Sequence, residues 1–407
     1  MRALFALLIF GLSFGSAFPQ PGPAGETEPS GLWHGIPRAI RYKPDGDGFV
    51  IQNGNRRFNR ALYGGNTAFR VEAGDLPQFA LYLPGMGGSM AMGILAGDSS
   101  KWLIHANAIT ATYYPGTMQY TVEDPLLGKG RLLLSVVART DAEGLLVKME
   151  AEHIPPGVQL FWSFGGATGK RFNRDGDIGA DPESSFYLLP EYCADNVFSL
   201  KGHAFTLHYG SGRTLSEAER YEIQHRPANE TSGTAFGPQK QLFGVVPPSM
   251  TLRVGDANLQ SSPAAFWESQ AAGAPALTGL LPLSSGQPFF FSVQTSINQP
   301  PEYDSLPALF DQAFLAQRAL AGRVVLQTPD AFINPFGGAL AVAADAIWEA
   351  PSFLHGAVAW RMRLNGWRGP YAADPLGWHD RARTHFDAYA QSQLTTPETG
   401  PITPDTA

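Results

Sequence analysis

From Trp33 to about Asn298 the sequence is a succession of short apolar runs, each closed by glycine, proline, asparagine or aspartate. Strand-length runs fall at 40–43, 49–52, 79–83, 90–95, 109–114, 118–122 and 131–137, then at 145–150, 159–164, 205–209, 221–225, 241–246, 250–254 and 289–295. Pro44-Asp45-Gly46-Asp47-Gly48 reads as a hairpin turn between the first two, and Asn53-Gly54 as the next turn. So many short strands, without long helices between them, predict a large antiparallel β-sandwich. The 45 glycines and 33 prolines suit such punctuation. Those of Pro84-Gly85-Met86-Gly87-Gly88-Ser89 read as one further turn. One short helix, 263–272 with Ser262 as its cap, interrupts the series.

After Pro300-Pro301 the period changes. Leu306, Leu309, Phe310, Ala313, Phe314, Gln317 and Leu320 share one helical face, with Ser305 placed to cap the start and Gly322 the end. Thr328-Pro329-Asp330 opens a second helical stretch, in which Leu340, Ala344, Ile347 and Trp348 recur at helical spacing. A third helix is predicted over 375–393, with Asp374 as cap, Pro375 in the first turn, and Ala382, Phe386, Tyr389 and Gln393 aligned. Two helices cannot close a domain of their own, because their apolar faces need partners.

Met1-Arg2, the apolar run 3–14 and Gly15-Ser16-Ala17 have the order of a signal peptide, so the chain is expected to be periplasmic or secreted. No later run has the length and apolarity of a membrane span. The 407-residue chain is 44% hydrophobic, enough for a large core and two domains. A net charge of −7, with no basic stripe, argues against nucleic acid as a partner. The single cysteine, Cys193, excludes an internal disulfide and a cysteine-based zinc site. The nine histidines lack ligand spacing, and there is no nucleophile elbow or phosphate loop, so no metal or cofactor is implied. The expected division is a signal peptide (1–17), a flexible linker (18–31), the sandwich (32–300), a linker helix (301–328), a helical segment (329–395) and a tail (396–407).

This order resembles the six-hairpin glycosidases, in which an (α/α)6 barrel follows a sandwich. Gly54-Asn55-Arg56-Arg57-Phe58-Asn59-Arg60-Ala61-Leu62-Tyr63-Gly64 resembles the opening of an uncharacterised β-sandwich family that precedes such barrels. Trp360 through Trp367-Arg368-Gly369-Pro370-Tyr371, and Asp374-Pro375-Leu376-Gly377-Trp378-His379-Asp380-Arg381-Ala382, resemble the barrel's first substrate-side loop. The resemblance implies a glycoside hydrolase-like fold and an oligo- or polysaccharide as partner. It also implies that residues 329–395 are the first helical hairpin of the barrel. Twelve helices with their loops need on the order of 300 residues, so the catalytic barrel is expected to be incomplete in this chain. A non-catalytic carbohydrate-binding or structural sandwich is the alternative.

Sugar recognition uses aromatic faces for C–H surfaces and planar polar groups for hydroxyls. Arg368, Tyr371, Asp374, Trp378 and His379 supply that mixture as candidate substrate-binding residues. The structural alternatives are Asp374 as a helix cap, Trp378 as core packing, and Asp380 with Arg381 as a solvated pair. Hydrolysis needs two carboxyl groups, and Asp380 is the candidate catalytic acid, with no partner assigned. A second polar cluster holds Lys170, Arg171, Asn173, Arg174, Asp175, Asp177, Asp181 and Glu183. Its Asp-Gly-Asp spacing lacks the ligand series of a calcium loop. Arg171 and Asp175 are its candidate sugar contacts, if the loop reaches over the barrel mouth.

Overall fold

The strands form by alternation, with one face of each apolar, and the sheets follow from closing those faces on each other. A computed structural model describes residues 40–65, 68–210, 240–295, 299–364 and 366–393. The expected signal peptide, the flexible linker, the strand at 221–225 and the tail lie outside the described residues. All the elements named below belong to one compact unit, Tyr42–Ala407.

The strands are β1 (Lys43–Asp45), β2 (Gly48–Gln52), β3 (Arg60–Tyr63), β4 (Arg70–Ala73), β5 (Gln78–Tyr82) and β6 (Met86–Ala96). They continue with β7 (Ser99–Trp102), β8 (Ala108–Tyr114), β9 (Thr117–Glu123), β10 (Arg131–Ala138), β11 (Gly144–Glu152) and β12 (Val158–Ala167). Then follow β13 (Val197–Lys201), β14 (Ala204–Tyr209), β15 (Lys240–Val245), β16 (Thr251–Asp256), β17 (Pro275–Pro282) and β18 (Phe289–Thr295). The first sheet has ten strands, in the order β1-β2-β8-β9-β10-β11-β18-β15-β14-β13. The second has eight, in the order β16-β17-β12-β6-β5-β4-β3, with β7 also paired to β6. The protein is thus mainly β, built on two large antiparallel sheets.

Alternation decides what lies between them. Leu132, Leu134 and Val136 of β10, Leu145, Val147 and Met149 of β11, and Phe291 and Val293 of β18 meet Leu160, Trp162 and Phe164 of β12 in one core. Trp162 stacks on Phe291 across the gap, with ring centroids 6.3 Å apart. Burying each such side chain contributes roughly 1.5–3 kcal/mol.

The residues between these face outward and are buried as well. Val137, Leu146, Val245 and Phe290 lie under Leu306, Phe310 and Ala313 of the predicted linker helix, here α3 (Leu306–Ala321). It follows α1 (Pro190–Cys193) and α2 (Pro263–Glu268). Gln317, also buried, donates from Nε2 to the Tyr63 carbonyl at 2.7 Å and so ties α3 to the second sheet. Ser262 caps α2 as expected, its hydroxyl accepting from the Ala265 N–H at 3.1 Å. Ser305 does not cap α3: its backbone is already helical, and its hydroxyl donates to the Glu302 carbonyl.

Of the stretch 84–89, expected as a strand-connecting turn, Pro84 and Gly85 lie in the bend between β5 and β6, while Met86–Ser89 already belong to β6. Glycine permits this, because a Cβ on Gly88 (φ +110°) would stand 2.6 Å from the Phe164 ring. The second helical stretch begins later than the sequence suggests, at α4 (Phe336–Ala346). Thr328, Asp330 and Asn334 are tied in a hydrogen-bonded turn before it, the Thr328 N–H donating to Asn334 Oδ1 at 2.7 Å. A short hairpin of β19 (Trp348–Glu349) and β20 (Ser352–Phe353) leads on to α5 (Pro370–Ala373) and α6 (His379–Gln391). The predicted helix over 375–393 is therefore broken at its start, where Gly377 adopts a left-handed backbone (φ +74°). Asp374 sits at the end of α5 and caps no helix start. Among the described residues, no helix is long and apolar enough to cross a membrane.

Candidate functional site

The helical segment is held by a small core of Phe353, Ala373, Trp378 and Ala382, with Ile347, Trp348 and Leu376 packed against it. Trp378 is only 8% exposed. The Arg381 guanidinium lies 4.5 Å from the centroid of its ring and the Arg323 guanidinium 5.3 Å. Both cations are fixed elsewhere: Arg381 donates to Asp345 Oδ1, and Arg323 to the Leu376 carbonyl, each at 2.7 Å. His385 is fully buried and its Nδ1 accepts from the Phe353 N–H at 3.1 Å. Here the structural alternative for Trp378 describes what its ring touches.

The exposed aromatic surface lies just before it in sequence. Trp367 is 56% exposed and Tyr371 72%, with ring centroids 5.8 Å apart in an edge-to-face arrangement. The Arg368 guanidinium lies 4.8 Å from the Trp367 ring centroid. Tyr371 and Asp374 are three residues apart along the helical turn, so both project from one side of it. Asp374 Oδ1 and His379 Nδ1 are 3.1 Å apart, in an exposed pair that closes the loop. These residues form a ridge of two rings, a guanidinium and a carboxylate–imidazole pair. Asp380 stands apart from that ridge's hydrogen bonds. Its side chain is 98% exposed, and its charged neighbour is Arg383 at 3.8 Å.

The polar loop of the sandwich is more structured than its composition suggests. Asp181 is buried and accepts from the Arg174 and Gly176 N–H groups at 2.7 and 3.1 Å. Beneath it a buried ion pair joins Arg70 and Glu72 on β4, and Arg70 also donates to the Asp175 carbonyl. Burial pushes the Glu72 carboxyl up, and the Arg70 charge beside it pulls the other way. The Asp175 carboxylate accepts from Tyr82 at 3.1 Å and from Arg171 at 3.3 Å, so the two candidate sugar contacts of this loop pair with each other. Arg171 remains largely exposed. Arg174 reaches the helical segment, its guanidinium 5.7 Å from the centroid of the exposed Trp360 ring.

Arg171 and Asp175 thus sit together on one loop, and Arg368, Tyr371, Asp374 and His379 on another, with Trp378 packed beneath the second. Sequence reasoning placed Trp360 and Trp367 in the stretch that resembles a substrate-side loop but did not single either out as a binding residue. Nothing in the local pattern separates an exposed indole from a buried one. Among the described residues, no group of three or more histidine, cysteine, aspartate or glutamate side chains is arranged to hold a metal ion.

The family described as "Domain of unknown function (DUF4450)" matches residues 83–314. No curated protein matches. The chain also matches solved structures. One is a bacterial glucoamylase complexed with acarbose, 7% identical, covering 84% of this chain and 53% of that one, with a TM-score of 0.37. Another is a family GH92 inverting mannosidase from Bacteroides thetaiotaomicron, 11% identical, covering 74% and 35%, with a TM-score of 0.35. A GH92 α-mannosidase from the same organism is 9% identical, covers 76% and 38%, and has a TM-score of 0.25. The chain spans about half or less of the length of these structures.

Proposed function

The chain belongs to the family described as "Domain of unknown function (DUF4450)", and from that premise we propose that it is an exported, glycoside hydrolase-like protein that engages polysaccharide. The observation that carries this reading is the ridge of the helical segment. Trp367 and Tyr371 hold large aromatic faces in solvent beside Arg368. An exposed aromatic pair is costly to leave in water and is suited to the C–H face of a pyranose. Arg368, Asp374 and His379 offer donors and acceptors for its hydroxyls. Trp378 has the part of a support that fixes the loop, and Arg171 and Asp175 of a polar wall contributed by the sandwich. The order of residues 1–17 supports export.

In this reading residues 32–300 are the sandwich, 301–328 the connection and 329–395 the opening of a larger helical domain. The outward-facing Leu340 and Phe386 support that last step, since such apolar faces ask for cover. The full exposure of Asp380 favours the second reading for this chain taken alone, a carbohydrate-binding protein without turnover.

One experiment separates the two. The purified chain is run through gels containing soluble polysaccharides, and the same mixtures are assayed for newly formed reducing ends. Retardation with new reducing ends supports an enzyme, and retardation without them a binder. If no polysaccharide retards the chain, or if Trp367→Ala with Tyr371→Ala leaves retardation unchanged, the ridge is not the site.

A further inference from the structure

A cleft of about 330 Å³ opens on the outer face of the second sheet, at the lower end of the range for small-molecule sites. Its floor is strand backbone with Gln78 of β5 and its register partner Ala91 of β6. Trp102 and His105 form one wall, and Tyr187 with Pro190 the other. Arg57 closes one end, and Gln260 and Ser261 stand at the rim.

Gln78 is the informative residue. It is 4% exposed, and its Oε1 finds no hydrogen-bond partner among the described residues. Its Nε2 reaches Ser89 Oγ at 3.4 Å. A buried amide oxygen without a donor destabilises a fold, so a donor from a bound molecule would offset that cost.

The walls restrict which molecule that is. Trp102 packs edge-to-face on Phe161, ring centroids 5.3 Å apart, which holds the indole in place. Tyr187 is held by the Arg57 guanidinium, 4.1 Å from its ring centroid. A carboxylate stands on the same wall, because Glu183 accepts from the Arg57 backbone N–H at 3.2 Å and from the hydroxyl of Tyr187, the ring under the Arg57 guanidinium, at 3.3 Å. Partial burial, followed by the charges of Arg57 and Lys101, lowers the His105 pKa and leaves a neutral imidazole at neutral pH. Rigid aromatic walls, a planar amide floor and offset charge suit a neutral, hydroxyl-rich ring with an apolar face.

We propose that this cleft binds a neutral pyranoside, one or two sugar units long, on the β-sandwich. It is separate from the ridge of the helical segment, and the ligand class is argued from the cleft alone. The test uses the full chain, with maltose, cellobiose, mannobiose and diacetylchitobiose as probes at millimolar concentration. Binding is read by saturation-transfer NMR and titration calorimetry, and stability by thermal melting. At least one disaccharide is expected to bind. Gln78→Met, which keeps volume and removes the orphaned oxygen, should weaken it by about tenfold or more. That variant should melt no lower than the parent, and Tyr187→Ala should weaken the same sugar.

Absence of binding by the parent overturns the proposal, as does undiminished binding by Gln78→Met. A lower melting temperature in Gln78→Met also overturns it, because the amide would then be holding the sheet. The Trp367→Ala, Tyr371→Ala double variant keeps the two sites distinguishable. Binding lost there and kept in Gln78→Met sinks the cleft and leaves the ridge. The reverse pattern supports the cleft whatever becomes of the ridge.

Discussion

Trp367 and Trp378 lie within one short stretch of sequence and have opposite surroundings, solvent for the first and the segment's core for the second. Their truncations should therefore differ. Trp378→Ala removes a packed ring and should cost about 3–5 kcal/mol in the helical segment, seen as lost amide-exchange protection across α6. Trp367→Ala should change stability by no more than about 0.5 kcal/mol. If the ridge holds glycan, it should weaken binding by about 2 kcal/mol, on the order of thirtyfold. Asp374→Asn should also leave folding nearly unchanged, since this carboxylate caps no helix start and its partner is the exposed His379. Melting and gel retardation measured together decide whether each residue serves the fold or the ligand.

The Arg70–Glu72 pair makes a sharper test of burial. Both residues are almost wholly shielded, so Arg70→Met strands the Glu72 charge and should cost about 3–5 kcal/mol by chemical denaturation. The double variant with Glu72→Leu should recover most of that loss. Asp124 carries a pH signature. Desolvation pushes its carboxyl up, but Lys101 at 2.7 Å and the N–H groups of Leu126 and Asn107 together hold it below the usual carboxylate range. A carboxyl lowered in the folded state stabilises fully above its unfolded value, about 3.9, and that contribution is lost as pH falls through the folded value. Asp124→Asn should accordingly melt at a temperature less sensitive to acid below about pH 4.

Among the elements, α3 carries the most consequence. It covers Val137, Leu146, Val245 and Phe290, with the Phe290 and Phe310 rings 6.0 Å apart at centroid. A chain ending at Gly322 should melt as cooperatively as the full chain, because the helical segment has its own small core. A chain ending before Pro300 uncovers that apolar strip and should melt lower by about 10 °C or more. The sequence expectation is a linker helix packing against the sandwich, and in the structure α3 is the outer layer of the first sheet. Its apolar face was legible from the spacing of Leu306, Phe310 and Ala313, but which strands that face covers was not. Strand alternation hides the answer, since Leu146 and Phe290 read as interruptions in an inward pattern until a helix is placed on them.

At the scale of the molecule, β18 sits between β11 and β15, and its pairing joins segments far apart in sequence. Without it the first sheet falls into two halves. A chain ending at Pro282 should lack a cooperative melt and dispersed NMR signals, and a cooperative transition there would refute this account of the sheet. The sequence by itself determined the mainly β class, most central strands, the capped α2 and the apolar face of α3. Each of these depends on side-chain period or local capping, which are properties of neighbours in the chain. It missed β3, β4, β7, β13 and β17, whose short or mixed runs take their strand state from the partners beside them. Only the tertiary structure decided that Trp378 is packed and Trp367 exposed, that Arg174 meets Trp360, and that Gln78 Oε1, without a partner among the described residues, lies at a cleft walled by Trp102 and Tyr187. Those are meetings of residues distant in sequence, and no local pattern encodes which side of a ring will face water.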